Sequence, residues 1–226
     1  MKILVIAAHP DDEVYGMGGT IAKFASQGNE VSVLIVTDGC TAQYRNNENL
    51  STILKTKYNE AEKANNILGV KKIYFGDLPD MRLDNTDHIK INNIIEETVE
   101  KIKPELVFTH FYGDVNVDHQ YVYKSTLVAV RPTPNQSVKE LYCYRVPSST
   151  EWSPQIVSSS FFSNVIIDIS DFSLKKSEAI NQYQTEIRNY PHPRSVKYVE
   201  KLDCATGLKY GIGSAEEFML LRKIIL

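Results

Sequence analysis

Unbroken apolar runs, each followed by a stretch in which apolar residues recur every three or four positions, organise this chain. The first run is Ile3-Leu4-Val5-Ile6-Ala7-Ala8, with no polar alternation. Such a run fits a strand covered on both faces, as in parallel sheets. Helical spacing follows near 15–27, then a second strand over 30–37. A longer helix over about 50–68 ends at Gly69, the residue type favoured just past a helix C-terminus. A third strand near 72–75 leads to a helix outlined by Ile89, Ile91, Ile94, Ile95, Val99 and Ile102, which Pro104 closes. The fourth strand, Leu106-Val107-Phe108-Thr109, runs into a polar cluster and then the helical spacing of Val122, Ser125, Thr126, Val128 and Ala129. Beyond about 139, strands near 141–146 and 164–169 mix with helices near 174–186 and 215–226.

This alternation predicts an α/β fold: a Rossmann-like, doubly wound, mostly parallel sheet with helices on both faces. The Ser/Pro-rich stretch 147–160 reads as a lid or an irregular loop rather than a boundary, so residues 1–226 are read as one domain. The chain carries no internal repeat. Its 226 residues suffice for a sizeable core.

A net charge of −3 leaves no electrostatic footprint for nucleic acid. Cys40, Cys143 and Cys204 are widely spaced, which argues against a disulfide framework and against a thiolate metal site. No run approaches the about 20 apolar residues of a membrane-spanning helix, and the short apolar start is used as a strand rather than a signal segment. A cytoplasmic location is the expectation.

The candidate chemistry sits where the first strand ends. His9-Pro10-Asp11-Asp12-Glu13 places an imidazole beside two adjacent carboxylates. In open α/β sheets, ligands bind just past the carboxyl ends of the strands. The plainer alternative is a helix cap, but a cap needs one acceptor, not two carboxylates beside a histidine. His9 and Asp12 offer one nitrogen and one oxygen, a mixture that zinc accepts. A second cluster, Asp114-Val115-Asn116-Val117-Asp118-His119, follows the fourth strand and offers His119 as a third ligand. Two histidines and a carboxylate with an open position describe a catalytic zinc site, and the same set suits iron(II). The fingerprints of rival sites are missing: there is no Gly-x-Gly-x-x-Gly at the first turn, no Gly-x-Ser-x-Gly, no Walker loop and no His-Glu-x-x-His.

These residues also carry a resemblance. Ala8 to Glu13 match the (P/A)HPDDE hallmark of the LmbE-like (PIG-L) family of zinc-dependent N-deacetylases, and Asp118-His119 match its DH pair. Gly18-Gly19-Thr20, Thr37-Asp38-Gly39, Leu78-Pro79-Asp80, Arg131-Pro132 and the tail around Ala215-Glu216-Glu217-Phe218 look like further family features in the right order. The resemblance implies zinc on His9, Asp12 and His119, with Asp11 as general base. It implies a hydrolase that removes an N-acetyl group from an amino sugar, as a glycoside or sugar nucleotide. Two alternatives stay open: deacetylation of a thiol-cofactor precursor or antibiotic pseudosaccharide, and a metal-dependent sugar-binding protein without catalysis. Homo-oligomers are frequent in such a family, although no interface is legible here.

One departure stands out. Many members carry a histidine three positions before the DH histidine, where it stabilises the oxyanion, and this chain has Asn116. Asn116, His110 and His192 are the three candidates for that role; the plainer alternatives are a packed strand-end residue for His110 and an exposed turn for His192. Asp80, in the loop after the third strand, is a candidate for substrate hydroxyls, with Arg82 beside it. Asp38 suits a ligand hydroxyl or the support of a metal-binding histidine, or else an Asp-Gly turn. Arg194 suits a phosphate, or else solvent. Tyr44 and Arg45 fall in a long polar stretch read as a substrate loop. Glu13 supports the metal loop or simply favours the helix N-terminus.

Overall fold

The computed structural model describes residues 1–42, 49–154, 156–157 and 159–225, so Tyr44 and Arg45 lie outside the described residues. Five parallel strands form the body of one seven-stranded sheet: β1 (Lys2–Ala7), β2 (Glu30–Thr37), β3 (Lys72–Leu78), β4 (Leu106–His110) and β5 (Glu140–Tyr144). The spatial order is β3-β2-β1-β4-β5-β7-β6, in which β7 (Ala215–Lys223) runs antiparallel to both β5 and β6 (Val165–Asp168). β1 pairs with β2 on one side and β4 on the other, so the winding reverses between β1 and β4. That reversal opens a crevice past the ends of these two strands, the ligand position of doubly wound folds.

The apolar run of β1 explains its central place. Ile3, Val5 and Ala7 face one core cluster, packed by α1 (Asp12–Ser26), α2 (Leu50–Leu68), α5 (Ser173–Ile180) and α6 (Val196–Leu208). Leu4, Ile6 and Ala8 face the other, packed by α3 (His88–Ile102) and α4 (Val117–Ala129). Both faces of the strand are therefore apolar, as alternating side chains on a covered strand require.

α1 approaches the sheet closely enough that its residues from Asp12 to Ala22 are buried. Glycine permits this at Gly19, where a Cβ would stand 2.7 Å from Cδ1 of Ile169.

Two helical expectations fail in the last quarter. Residues 215–226 were expected to be helical from their Ala, Glu, Leu and Met content, yet Ala215–Lys223 is β7. The slot between β5 and β6 takes this segment as a strand and buries Phe218 completely; pairing overrides local preference. The helix expected over 174–186 stops at Ile180, because Tyr183 and Glu186 turn inward to polar partners at the site. α6 has no counterpart among the expected elements; Ser195 caps it by accepting from the Tyr198 amide at 3.2 Å. The Ser/Pro-rich stretch is irregular, with a 3₁₀ turn over Thr150–Trp152.

Candidate active site

The turn after β1 is held in an unusual backbone state. Asp11 has φ 119°, a region that costs a non-glycine residue on the order of 1–3 kcal/mol. Glu13 holds the turn in place. Its Oε2 accepts the Asp11 amide at 3.2 Å, while Oε1 accepts Asn65 Nδ2 at 2.7 Å and the Tyr183 hydroxyl at 2.6 Å. The first turn of α1 is thus tied to α2 and to the segment after α5. Across the crevice, Gly39 lies at φ 64°, with Pro10 so close that a Cβ there would meet its Cδ at 2.4 Å.

From this turn His9 and Asp12 meet His119, which α4 carries in its first turn. Ligand atoms of these three buried residues lie within 4.8 Å of one another. The Asp12 Oδ2 is 3.2 Å from His9 Nδ1 and 3.2 Å from His119 Nε2. The other His9 nitrogen, Nε2, lies 3.2 Å from Asp118 and 3.3 Å from Asp80. Burial alone would make both rings poor proton acceptors. Hydrogen bonds that its ring donates to Asp118 and Asp12 instead hold His9 well above the usual histidine range, and the Asp12 and Asp114 charges raise His119 to about 9. Such surroundings favour positive charge.

A cation also answers a structural deficit. Asp12 Oδ1 and His119 Nε2 are buried without a hydrogen-bond partner among the described residues, and buried polar atoms rarely stay so. The donor set of two imidazoles and a carboxylate suits a first-row divalent metal. The residues present therefore fit a metal ion.

Support for His119 comes from a residue whose role the sequence left unassigned. Asp114 Oδ2 is 3.2 Å from His119 Nδ1, which leaves Nε2 facing Asp12. Asp114 in turn accepts from the Thr150 hydroxyl at 2.6 Å and from Ser149, so the irregular stretch after β5 holds the ligand shell. Burial opposes ionisation of Asp114, but the His119 charge and these hydrogen bonds bring it down to about 2. Asp118 orients His9 in the same way and accepts the Leu83 amide at 3.0 Å. A carboxylate within five residues of a ligand histidine was the only sequence signal for Asp114.

The pocket beside this centre is lined by His9, Asp11, Asp80, Asn116, Glu186 and Arg194, among others. Asp11 is pushed up to about 7, chiefly by burial, with Arg194 pulling it down and Asp12 pushing it up. Arg194 is not a solvated surface residue: its Nη1 lies 3.3 Å from Asp11 Oδ2 and 2.5 Å from Glu186 Oε2. Asn116 Oδ1 caps α4 by accepting the Asp118 amide at 2.9 Å, and its Nδ2 lies 3.6 Å from the Met81 sulfur at the pocket wall. Asp80 is buried, and burial raises its pKa.

Four expected site residues stand outside the pocket lining. His110 is fully buried, accepts the Ala8 amide at 2.8 Å and stacks on His119 with ring centroids 3.9 Å apart. Burial and the His119 charge keep it well below the usual histidine range, so it packs against the His119 ring as a neutral group. His192 is half-buried and accepts the Arg194 amide at 3.0 Å, outside the pocket lining. Asp38 closes a turn onto Cys40 and Thr41, whose hydroxyl accepts the Asp80 amide at 2.9 Å. Arg82 is exposed and outside the lining.

A doubly wound α/β sheet with a two-histidine, one-carboxylate centre at its switch point is the class that fold and site define. Within it, the chain belongs to the PIG-L family, whose model, described as GlcNAc-PI de-N-acetylase, matches residues 4–130. A diacetylchitobiose deacetylase from Thermococcus kodakarensis is 27% identical over 194 residues, 82% of this chain and 70% of that protein. Among solved structures, the N,N'-diacetylchitobiose deacetylase from Pyrococcus horikoshii superposes with a TM-score of 0.78 at 23% identity, covering 98% of this chain and 84% of that one. The 4-carboxy-2-hydroxymuconate hydratase GalB from Pseudomonas putida KT2440 follows at 0.77 and 19% identity, covering 100% and 98%. These two likenesses show the fold alone, and they show it serving two reactions. Function must therefore be argued from the site.

Proposed function

We propose that this chain is a zinc-dependent hydrolase that removes the acetyl group from the nitrogen of a glucosamine unit carrying a variable aglycone. The observation that carries the reading is the convergence of His9, Asp12 and His119 at the β1–β4 crevice, with Asp11 on the adjoining pocket wall. The family description names GlcNAc-PI and the Thermococcus relative names diacetylchitobiose, both acetylated sugars, which supports the substrate class.

His9, Asp12 and His119 would hold the metal. When bound, zinc supplies Lewis-acid polarisation of the amide carbonyl and makes water at the site more acidic. Asp11 takes the proton of the attacking water and returns it to the leaving nitrogen, the work of a general base followed by a general acid. Burial raises the proton affinity of its carboxyl, and a dication held by the adjoining Asp12 would oppose that rise and keep it ionised, as a base requires. Asn116 directs its Nδ2 donors towards the carbonyl oxygen as negative charge builds there. Asp80 accepts sugar hydroxyls, and Arg194 lines the same pocket beside Asp11.

The test is acetate release from a panel of N-acetyl sugars, free and linked, by chelator-stripped and metal-restored protein. Zinc-dependent release from at least one member supports the reading; restoration by iron(II) alone reassigns the metal. No acetate release from any member by the metal-loaded chain counts against this reading and favours an untested substrate or a metal-dependent sugar-binding protein.

A further inference from the structure

We infer that Glu186 is a positioning residue: anchored by Lys57, it fixes the Arg194 guanidinium and thereby the orientation of the Asp11 carboxylate. The choice of assay below rests on the deacetylase reading; the geometry does not.

Four separate parts of the chain meet here. Lys57 comes from α2, Glu186 from the segment after α5, Arg194 from the segment before α6, and Asp11 from the turn after β1. Oε1 of Glu186 takes the Lys57 ammonium, and Oε2 takes Arg194 Nη1 at 2.5 Å. The same Nη1 reaches Asp11 Oδ2 at 3.3 Å. Lys57 and Glu186 are 1% and 4% exposed in their side chains, so water does not compete for either.

Arg194 has little freedom besides. Its Nε donates to Ser148 Oγ at 3.1 Å, its carbonyl accepts the Tyr15 hydroxyl at 2.9 Å, and the guanidinium lies 5.9 Å from the Tyr15 ring centroid. The shorter of the two Nη1 contacts goes to Glu186, so Glu186 decides where the guanidinium sits and Asp11 takes the longer reach. Asp11 Oδ2 has no hydrogen bond among the described residues to hold it otherwise. Moving Arg194 therefore turns the carboxylate, and proton transfer is sensitive to such displacements. A purely structural ion pair would instead staple the segment after α5 to α2 and leave Asp11 indifferent.

The decisive variant is Lys57→Met/Glu186→Leu in the full, metal-loaded chain. Removing both charges together leaves neither member of the Lys57–Glu186 pair buried alone, and Arg194 keeps Asp11 as its counter-ion. The expected result is an unchanged metal content and a kcat for acetate release lower by about 10- to 100-fold. KM should change by less than kcat does, since Asp80 and Asn116, the residues proposed to meet the substrate, are unaltered. A crystal structure of the variant should show Arg194 displaced and the Asp11 carboxylate turned. Normal kcat in a folded, metal-loaded variant overturns the inference. So does a rise in KM alone, which would make the pair a substrate contact. The unaltered chain is assayed in parallel: if it releases no acetate, the deacetylase reading fails, and the crystal structure still decides the inference, with an unmoved Arg194 and Asp11 counting against it.

Discussion

Asp114 stands 3.2 Å from Nδ1 of His119, at the opposite ring nitrogen from the one that faces Asp12. Carboxylate, imidazole and metal position form a chain in which the outer acid fixes the tautomer of the ligand. Asp114→Asn presents an amide that cannot reliably accept from Nδ1. The expected result is about a 10- to 100-fold loss of metal affinity, measured by competition with a chromogenic chelator. Unchanged affinity would make Asp114 an anchor for Ser149 and Thr150 only.

Asp11→Asn separates catalysis from metal binding. Asn tolerates a positive φ better than most residues, so the turn should survive. Turnover should fall by about 10²–10⁴-fold with metal stoichiometry unchanged, read by kcat and by elemental analysis of the purified variant. A variant that turns over at the normal rate removes Asp11 from the role of base.

Asn116 has two functions that one substitution divides. Asn116→Ser keeps a side-chain acceptor for the Asp118 amide and so preserves the cap on α4. It removes the Nδ2 donors. We expect a melting temperature close to that of the unaltered chain and a kcat reduced by about 10²-fold or more. If kcat holds, the oxyanion is stabilised elsewhere.

Gly39→Ala tests the packing of the crevice wall. A methyl group would have to share space with Pro10 at a backbone angle unsuited to alanine. Overpacking of this kind destabilises by about 1–3 kcal/mol, measurable by denaturant titration, and the displaced Pro10 should weaken metal binding at its neighbour His9. Full stability would show that the turn relaxes freely.

Away from the site, Lys176 bridges Asp203 at 2.7 Å and Glu216 at 2.8 Å in the core between α5, α6 and β7. Burial raises Asp203 to about 6, although the Lys176 charge opposes the shift. The folded chain thus binds this proton more tightly than the unfolded one, whose aspartate titrates near 3.8. Between about pH 4 and pH 6 the contribution of Asp203 to stability must fall as pH rises. Asp203→Asn, which mimics the protonated form, should gain on the unaltered chain across that window by on the order of 1 kcal/mol. Parallel melts at pH 4.5 and 7 check this; a gap that narrows with rising pH refutes it.

Much of this architecture is legible in the sequence. The runs at Ile3–Ala8 and Leu106–Thr109 announced central strands because burial on both faces leaves no polar position to interrupt them. His9, Asp12 and His119 were legible as candidates because they fall in the polar crossings from β1 to α1 and from β4 to α4, at the edge where a doubly wound sheet gathers its ligands. The last quarter misled, since Ala215-Glu216-Glu217-Phe218 has helical composition and its strand character comes from β5 and β6. Nor did local pattern separate Asp114 from an ordinary loop acid, or Arg194 from a solvated one.

The sequence by itself determined the alternation of strands and helices and the edge at which chemistry gathers, and it offered His9, Asp12 and His119 as candidate metal donors. These follow from periodicity and from side chains adjacent to strand ends, which are local properties. Only the tertiary structure decided which charges face one another: Glu13 with Tyr183 across 170 positions, and Lys57 with Glu186 across 129. A buried charge must find a partner wherever packing places one, and that distance is not written in any window of the chain.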